Sequence, residues 1–135
     1  MLGKAAPGPL RAVRELDRTI GEYAAAAGIP DNLSHLLRLR ASQLNGCAFC
    51  VRLHTRDALA VGESSDRISV LPAWRETAYF TDKERAALAL VEAVTLIASG
   101  QVPDAVYAAA AAVLSPDEVA AVEWLGVAIN VWNRI

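Results

Sequence analysis

The chain has 135 residues, of which 54% are hydrophobic and only 6% are aromatic. A chain of this length most simply forms one domain, predicted here over residues 1–135, and it can bury a core without help from disulfides or metals. Its formal net charge is −2, and its 13 basic residues are scattered along the chain. A nucleic-acid binder concentrates such residues in a basic patch. We therefore expect no nucleic-acid partner.

The apolar residues do not form a membrane segment. The longest uninterrupted apolar run, residues 105–114, is far shorter than the roughly 20 residues that a bilayer-spanning helix needs. The first residues also lack the apolar core of a signal peptide. We therefore predict a cytoplasmic protein with no membrane partner. Because a small monomer cannot hide this much apolar surface inside itself, we also predict a homo-oligomer.

Apolar residues in steps of three and four predict two helices in the first third of the chain. The first helix covers residues 10–27 and ends at Gly28. The second begins at Asp31 or Asn32, either of which can cap it. Its leucines, the last of them Leu44, form one apolar side.

The middle of the chain predicts a third helix followed by shorter turns. Asn45 and Gly46 form a turn signal, and Asn45 is predicted to cap a helix that ends at Gly62. Residues 64–74 then predict one or two short helical turns, which Pro72 interrupts.

Two capping boxes mark helix starts in the second half of the chain. Residues 81–84 (Thr-Asp-Lys-Glu) begin a helix that continues through Ala98, and residues 115–118 (Ser-Pro-Asp-Glu) begin the last helix. Between them, Pro103 and Asp104 begin another helix. No segment shows sustained alternation with β-branched enrichment. The sequence therefore predicts an all-α bundle of about six to seven helices.

Both cysteines of the chain and one of its two histidines follow the spacing C-x-x-C-x-x-x-H. On a helix, Cys50 and His54 are one turn apart, and Cys47 shares their face. Two thiols at this spacing can form a disulfide and reopen, and a nearby imidazole can accept a thiol proton. In a reducing compartment such a pair indicates redox or metal chemistry rather than a structural disulfide.

Three interpretations of this spacing remain open. The cysteines can be small buried core residues without a chemical role. Zinc needs about four ligands; Cys47, Cys50 and His54 supply three, and His35, the other histidine, would supply the fourth. In a dithiol redox centre, a helix N-terminus and the imidazole of His54 would lower the pKa of Cys50, which attacks while Cys47 resolves. The reverse order, in which the first cysteine attacks, also stays open.

Residues 36–58 closely resemble the core motif of the AhpD-like alkylhydroperoxidases of the carboxymuconolactone decarboxylase superfamily, and residues 69–77, 80–89 and 128–134 are similar to that family too. The resemblance implies an all-helical domain that assembles into dimers, trimers or hexamers. It implies a thiol-dependent peroxidase that reduces alkyl or hydrogen peroxides and is recycled by an external dithiol, with no bound cofactor or metal. True decarboxylases of the superfamily lack the cysteine pair, so decarboxylation is not the implied activity. A non-catalytic redox sensor or assembly module is the alternative.

The resemblance also implies a role for each residue of the motif. In the family's peroxidases the second cysteine attacks the peroxide, the first resolves, and the histidine belongs to a proton relay; here these are Cys50, Cys47 and His54. The family usually has a glutamate twelve residues before the first cysteine, where this chain has His35. An imidazole passes protons but lacks the fixed negative charge that stabilises an imidazolium. We therefore take His35 as a candidate relay residue that weakens the peroxidase, shifts its pH optimum or turns the site toward metal.

Two further groups of residues are expected to be structural. Glu92 interrupts an apolar run and is predicted to lie on a solvated face or at an interface edge. Arg52, Arg56 and Asp57 lie within or directly after the motif and are expected to form surface pairs.

Overall fold

The computed structural model describes residues 2–135, and Met1, the first residue of the predicted domain, lies outside the described residues. Within this part of the chain every regular element is helical, which confirms the predicted all-α fold. The α-helices are α1 (Leu2–Ala5), α2 (Pro7–Ala27), α3 (Asp31–Asn45), α4 (Ala48–Ala60), α5 (Ser65–Val70), α6 (Asp82–Thr95), α7 (Asp104–Val113) and α8 (Pro116–Arg134). The two 3₁₀-helices are η1 (Leu71–Glu76) and η2 (Ile97–Ser99).

The eight α-helices of residues 2–135 are one more than the upper figure of the predicted six to seven. The additional helix is α1, whose four residues are too few to show a periodic pattern. The next helix, α2, begins at Pro7, three residues earlier than predicted. Proline is favoured at a helix start because the backbone N–H that it lacks would have no partner within the helix there. It ends at Gly28, which has a φ of 97° and donates its backbone N–H to carbonyls of the last turn.

Both predicted capping boxes are formed. The Thr81 and Ser115 side chains each accept the backbone N–H of the glutamate three residues later, and each glutamate accepts the backbone N–H of its capping residue. Helix α6 nevertheless ends at Thr95, and the last residues predicted to continue it form the 3₁₀-helix η2. A 3₁₀ turn commonly follows an α-helix, because its hydrogen bonds satisfy the last carbonyl groups, which have no partner within the α-helix.

Helix α3 lies at the centre of the fold and positions the cysteine motif. It packs against α4, α6 and α8, while α2 packs on α8 and α7 on α6. Leu36, Leu37 and Leu39 of α3 are fully buried in the single apolar cluster of the described residues. Burying a leucine side chain contributes roughly 1.5–3 kcal/mol. Because α3 is anchored in the core in this way, His35 near its start and the turn into α4 at its end have fixed positions.

Glu92 is buried inside the fold, so the prediction of a solvated face is wrong. Only 7% of the residue is exposed, and its carboxylate accepts hydrogen bonds from Arg40 Nε (2.6 Å), Trp74 Nε1 (2.9 Å) and Arg75 Nη1 (2.6 Å). Burial alone would raise the pKa of Glu92, but these three donors hold it below its usual value. The carboxylate thus joins α6, α3 and η1 as a paired buried charge.

No helix of residues 2–135 is both long enough and apolar enough to cross a membrane. Several large apolar side chains of the described chain are exposed, among them Phe49 and Trp124. The predicted homo-oligomer stays a prediction.

Candidate active site

Cys47 lies at the junction between α3 and α4. Gly46 ends α3 with a φ of 68°, a left-handed conformation that favours glycine. The chain then turns into α4, whose cap is Cys47 rather than the predicted Asn45. The Sγ atom of Cys47 accepts the backbone N–H of Cys50 at 3.4 Å. The first cysteine of the motif therefore interacts with the free N–H groups at the start of α4.

The two sulfur atoms are in close contact as free thiols. Their Sγ atoms lie 2.6 Å apart, whereas the sulfurs of a disulfide are about 2.05 Å apart. Cys47 is half-buried, while Cys50 is only 5% exposed. A disulfide can therefore form with very little movement, and Cys47 is its more accessible sulfur.

The environment of Cys50 favours the protonated thiol. Burial, followed by the hydrogen bond with Cys47, raises the pKa of Cys50 from 9.0 to about 11, and the side chain of Asn133 acts in the opposite direction. The expected net lowering of this pKa is therefore not found: a backbone hydrogen bond at the helix start lowers it, but burial outweighs that effect. The physical reason is that a buried thiolate loses more hydration than its few donors return.

His54 faces His35 rather than the thiols. The Nδ1 atoms of the two imidazoles lie 3.5 Å apart, and the rings are tilted by 35°. Within residues 2–135, His54 makes no hydrogen bond to Cys47 or Cys50. Position 35, where the family pattern usually has a glutamate, thus contacts the histidine of the motif. A proton passing between His54 and Cys50 requires a bridging water or a change of rotamer.

Both imidazoles are held in the neutral form. Burial, with contributions from Arg38 and His35, lowers the pKa of His54 from 6.5 to about 4, while Asp57 and Asp17 oppose the shift. Burial also lowers the pKa of His35. The neutral form is favoured because burial costs the charged imidazoles hydration, and within residues 2–135 no carboxylate forms a hydrogen bond with either ring.

Asp57 completes this cluster, and its place beside the histidines was not predicted. One ligand atom from each of His35, His54 and Asp57 lies within 4.8 Å of the other two. The signal in the sequence was the spacing, since Asp57 follows His54 by three residues on α4. Asp57 also forms the expected pair with Arg56, at 3.7 Å. Within residues 2–135 the cysteines do not join the cluster, so the four groups of the alternative zinc site are not assembled.

Amide side chains tie the last helix to the cysteine turn. Asn45 Nδ2, at the end of α3, donates to the side-chain oxygens of Asn130 and Asn133 at 2.9 and 2.8 Å. Asn133 Nδ2 in turn donates to Ser42 Oγ at 3.0 Å. These bonds hold Asn133 beside Cys50, where it lowers the pKa of the thiol. Apart from the resemblance over residues 128–134, no sequence pattern indicates this role for Asn133.

The model of the carboxymuconolactone decarboxylase family matches residues 10–93, which include the whole cluster of cysteines and histidines. The chain belongs to this family. YdfG of Bacillus subtilis, an uncharacterized protein, is 39% identical over 114 residues, which are 84% of this chain and 78% of YdfG. The family match therefore includes the motif that resembles AhpD-like proteins, and it covers most of the chain.

A solved structure shares this architecture over nearly the whole chain. It is the crystal structure of a protein of unknown function from Agrobacterium tumefaciens, for which a role as the antioxidant defence protein AhpD has been suggested. The two proteins are 38% identical, with a TM-score of 0.87 over 98% of this chain and 88% of the other. The chain described here therefore has an AhpD-like fold.

Proposed function

We propose that the protein is a thiol-dependent peroxidase, which reduces alkyl or hydrogen peroxides through a disulfide cycle of Cys47 and Cys50. The observation that carries this proposal is the 2.6 Å separation of the two sulfur atoms at the start of α4. Membership of the family supports it, as does the suggested antioxidant role of the Agrobacterium tumefaciens structure. The cycle itself needs no bound cofactor or metal.

In the first step the Cys50 thiolate attacks the distal oxygen of the peroxide. A sulfur–oxygen bond forms, the oxygen–oxygen bond breaks, and the peroxide takes two electrons from sulfur, which becomes a sulfenic acid. The leaving alkoxide or hydroxide receives the proton that Cys50 gave up, through His54, and departs as alcohol or water. The assignment of attack to Cys50 rests on its position one turn before His54 and on the side chain of Asn133, which lowers the pKa of this thiol.

In the second step the Cys47 sulfur attacks the sulfenic sulfur of Cys50. A disulfide forms and water leaves, which removes the oxygen atom from the protein. One thiol of an external dithiol then attacks the half-buried Cys47 sulfur, which releases the Cys50 thiolate and leaves a mixed disulfide on Cys47. The second thiol of the reductant attacks its own sulfur in that bond, which releases Cys47 as a thiol and leaves the reductant as a disulfide. Access favours this order, because Cys50 is almost fully buried.

Proton handling sets the expected rate at neutral pH. His54 is neutral there and can accept a proton, but its pKa of about 4 makes it a weak base. The raised pKa of Cys50 adds to the barrier, since few of these thiols are ionised at neutral pH. General bases work best with a pKa near the working pH. We therefore propose a peroxidase that is slow at neutral pH and faster at alkaline pH.

The decisive experiment is a peroxide-consumption assay with a panel of small dithiols and dithiol proteins as reductants. The reduced protein should have two free thiols, lose both on adding one equivalent of peroxide, and consume many equivalents when a dithiol is present. The double variant C47S/C50S is the matched control for the background reaction. Turnover no faster than this control would refute the enzyme.

One observation favours a redox sensor or assembly module as the second candidate. Phe49, between the two cysteines, is 71% exposed, so a change at the cysteines would alter an exposed apolar surface. Such a module would form the disulfide once but show no catalytic turnover, and its oligomeric state would change on oxidation. Size-exclusion chromatography of the reduced and oxidised protein, run beside the turnover assay, separates the two candidates.

A further inference from the structure

We propose that His35, His54 and Asp57 form a binding site for a divalent transition-metal ion of the zinc type, formed without the cysteines. The side chains supply two imidazole nitrogens and one carboxylate oxygen, all within 4.8 Å of one another. Nitrogen and oxygen donors in this mixture suit zinc, cobalt, nickel and copper, whereas calcium and magnesium prefer oxygen ligands alone.

The distance between the imidazoles fits a shared ion. Zinc binds histidine nitrogen at about 2.0–2.1 Å, so two nitrogens on a tetrahedral ion lie roughly 3.4 Å apart. His35 Nδ1 and His54 Nδ1 are 3.5 Å apart. A direct N–H···N hydrogen bond would normally be shorter, near 3 Å. The distance between the two nitrogens therefore fits a shared ion better than a direct hydrogen bond.

The backbone already holds the three ligands in place. His54 and Asp57 lie three residues apart on α4, and His35 lies on α3, which packs against α4. His54 is buried, while His35 and Asp57 are half-buried. The site is thus closed on the side of the core and open toward solvent. Three protein ligands with one open position is a known zinc arrangement, in which water takes the fourth place.

The surrounding charges also favour a cation. Asp57, Asp31 and Asp17 each act on one or both imidazoles with negative charge. Arg38 is the opposing cation, and its Nη1 is paired with Asp17 Oδ1 at 2.7 Å. The pairing of Arg38 reduces its repulsion of a bound ion.

The test is a titration of the thiol-free variant C47S/C50S with Zn²⁺ and with Co²⁺ at pH 7.5. We expect one ion per chain by calorimetry, and visible absorption from Co²⁺ in a four- or five-coordinate site. In the same background H35Q, H54Q and D57N should each weaken Zn²⁺ binding at least tenfold. D31N is the matched control, because it removes a nearby carboxylate that is not in the cluster, and it should weaken binding by less than about threefold.

Three outcomes would overturn the site: no stoichiometric Zn²⁺ binding to C47S/C50S, binding that needs the cysteines, or a D57N effect no larger than that of D31N. Circular dichroism of each variant without metal checks folding. If H54Q does not fold, the Zn²⁺ affinities of H35Q and D57N and the Co²⁺ spectrum decide whether the site exists. Because the protein under test has no thiols, failure of the peroxidase proposal leaves this result unaffected. If both proposals hold, the ion would occupy the relay imidazoles and stop turnover.

Discussion

The Nδ1 atoms of His35 and His54 lie 3.5 Å apart, one on α3 and the other on α4. Each ring faces an uncharged partner at the position where a carboxylate would stabilise an imidazolium. Burial, then the charge of Arg38 and repulsion from His35, lowers the pKa of His54 to about 4. This pair of residues sets the acid–base behaviour expected of the whole site.

Replacing His35 by glutamate should activate the protein as a peroxidase. The carboxylate of H35E would bond to His54, raise its pKa toward neutrality and make it a better base. We expect kcat/KM for peroxide at pH 7 to rise by roughly tenfold, with the low-pH limb of the profile moving to higher pH. The measurement is a pH–rate profile from pH 5 to 9.

H35Q is the matched control for this change, since it has the shape of glutamate without the charge. It should not activate the enzyme. Equal rates for the wild type and H35E would remove His35 from the relay, and equal activation by H35Q would assign the effect to size rather than charge.

The stability of the fold should decrease below neutral pH because of His54. Its pKa is about 4 in the folded protein against an ordinary 6.5, so between these values the unfolded chain binds more protons than the native chain. The stabilisation is therefore complete above pH 6.5 and is lost as the pH falls toward 4. Between pH 7 and pH 5 the free energy of unfolding should drop by roughly 2 kcal/mol, with a further loss from His35, whose pKa is also lowered.

Urea denaturation at pH 7 and pH 5 measures this loss. H54Q should reduce the difference between the two pH values by most of that amount, because glutamine does not titrate. A wild-type protein equally stable at both values would show that His54 is not buried in its neutral form.

The two cysteine variants should fail at different steps. C50S should abolish peroxide consumption, because the attacking sulfur is gone. C47S should consume one equivalent and stop as a sulfenic acid on Cys50, since no resolving thiol is present. Mass spectrometry after trapping with dimedone measures the product. The opposite pattern would assign attack to Cys47, whose thiolate would lie at the N-terminus of α4 and accept the Cys50 N–H.

Much of the fold was predictable from local signals, and the acid–base properties of the site were not. The capping boxes at Thr81 and Ser115 depend on residues three apart, so the sequence displays them directly. Helical spacing likewise predicts that Cys50 and His54 lie on one helix, here α4, with Cys47 at its start. The predicted shared face is not found, because His54 contacts His35 on α3. The pKa of Cys50 depends instead on burial by other helices and on Asn133 of α8. Spacing within one helix says nothing about such contacts.

The burial of Glu92 is not predictable from its own helix for a related reason. A charged residue within an apolar helix predicts an exposed position, unless its partners come from elsewhere in the chain. Here the partners are Arg40 on α3, and Trp74 and Arg75 on η1. Their separation from Glu92 by 17 to 52 residues leaves no periodic signal.

Removing the charge of Glu92 should therefore destabilise the protein strongly. E92Q would leave the guanidinium of Arg40, whose side chain is 13% exposed, without its counter-ion. Losing one partner of a buried ion pair costs about 3 kcal/mol. R40A should cost a similar amount, whereas R75A should cost well under 1 kcal/mol, because the Arg75 side chain is 56% exposed and its charge stays in water. Urea denaturation of the three variants at pH 7 measures these differences; equal losses for R40A and R75A would mean that burial does not determine the strength of this network.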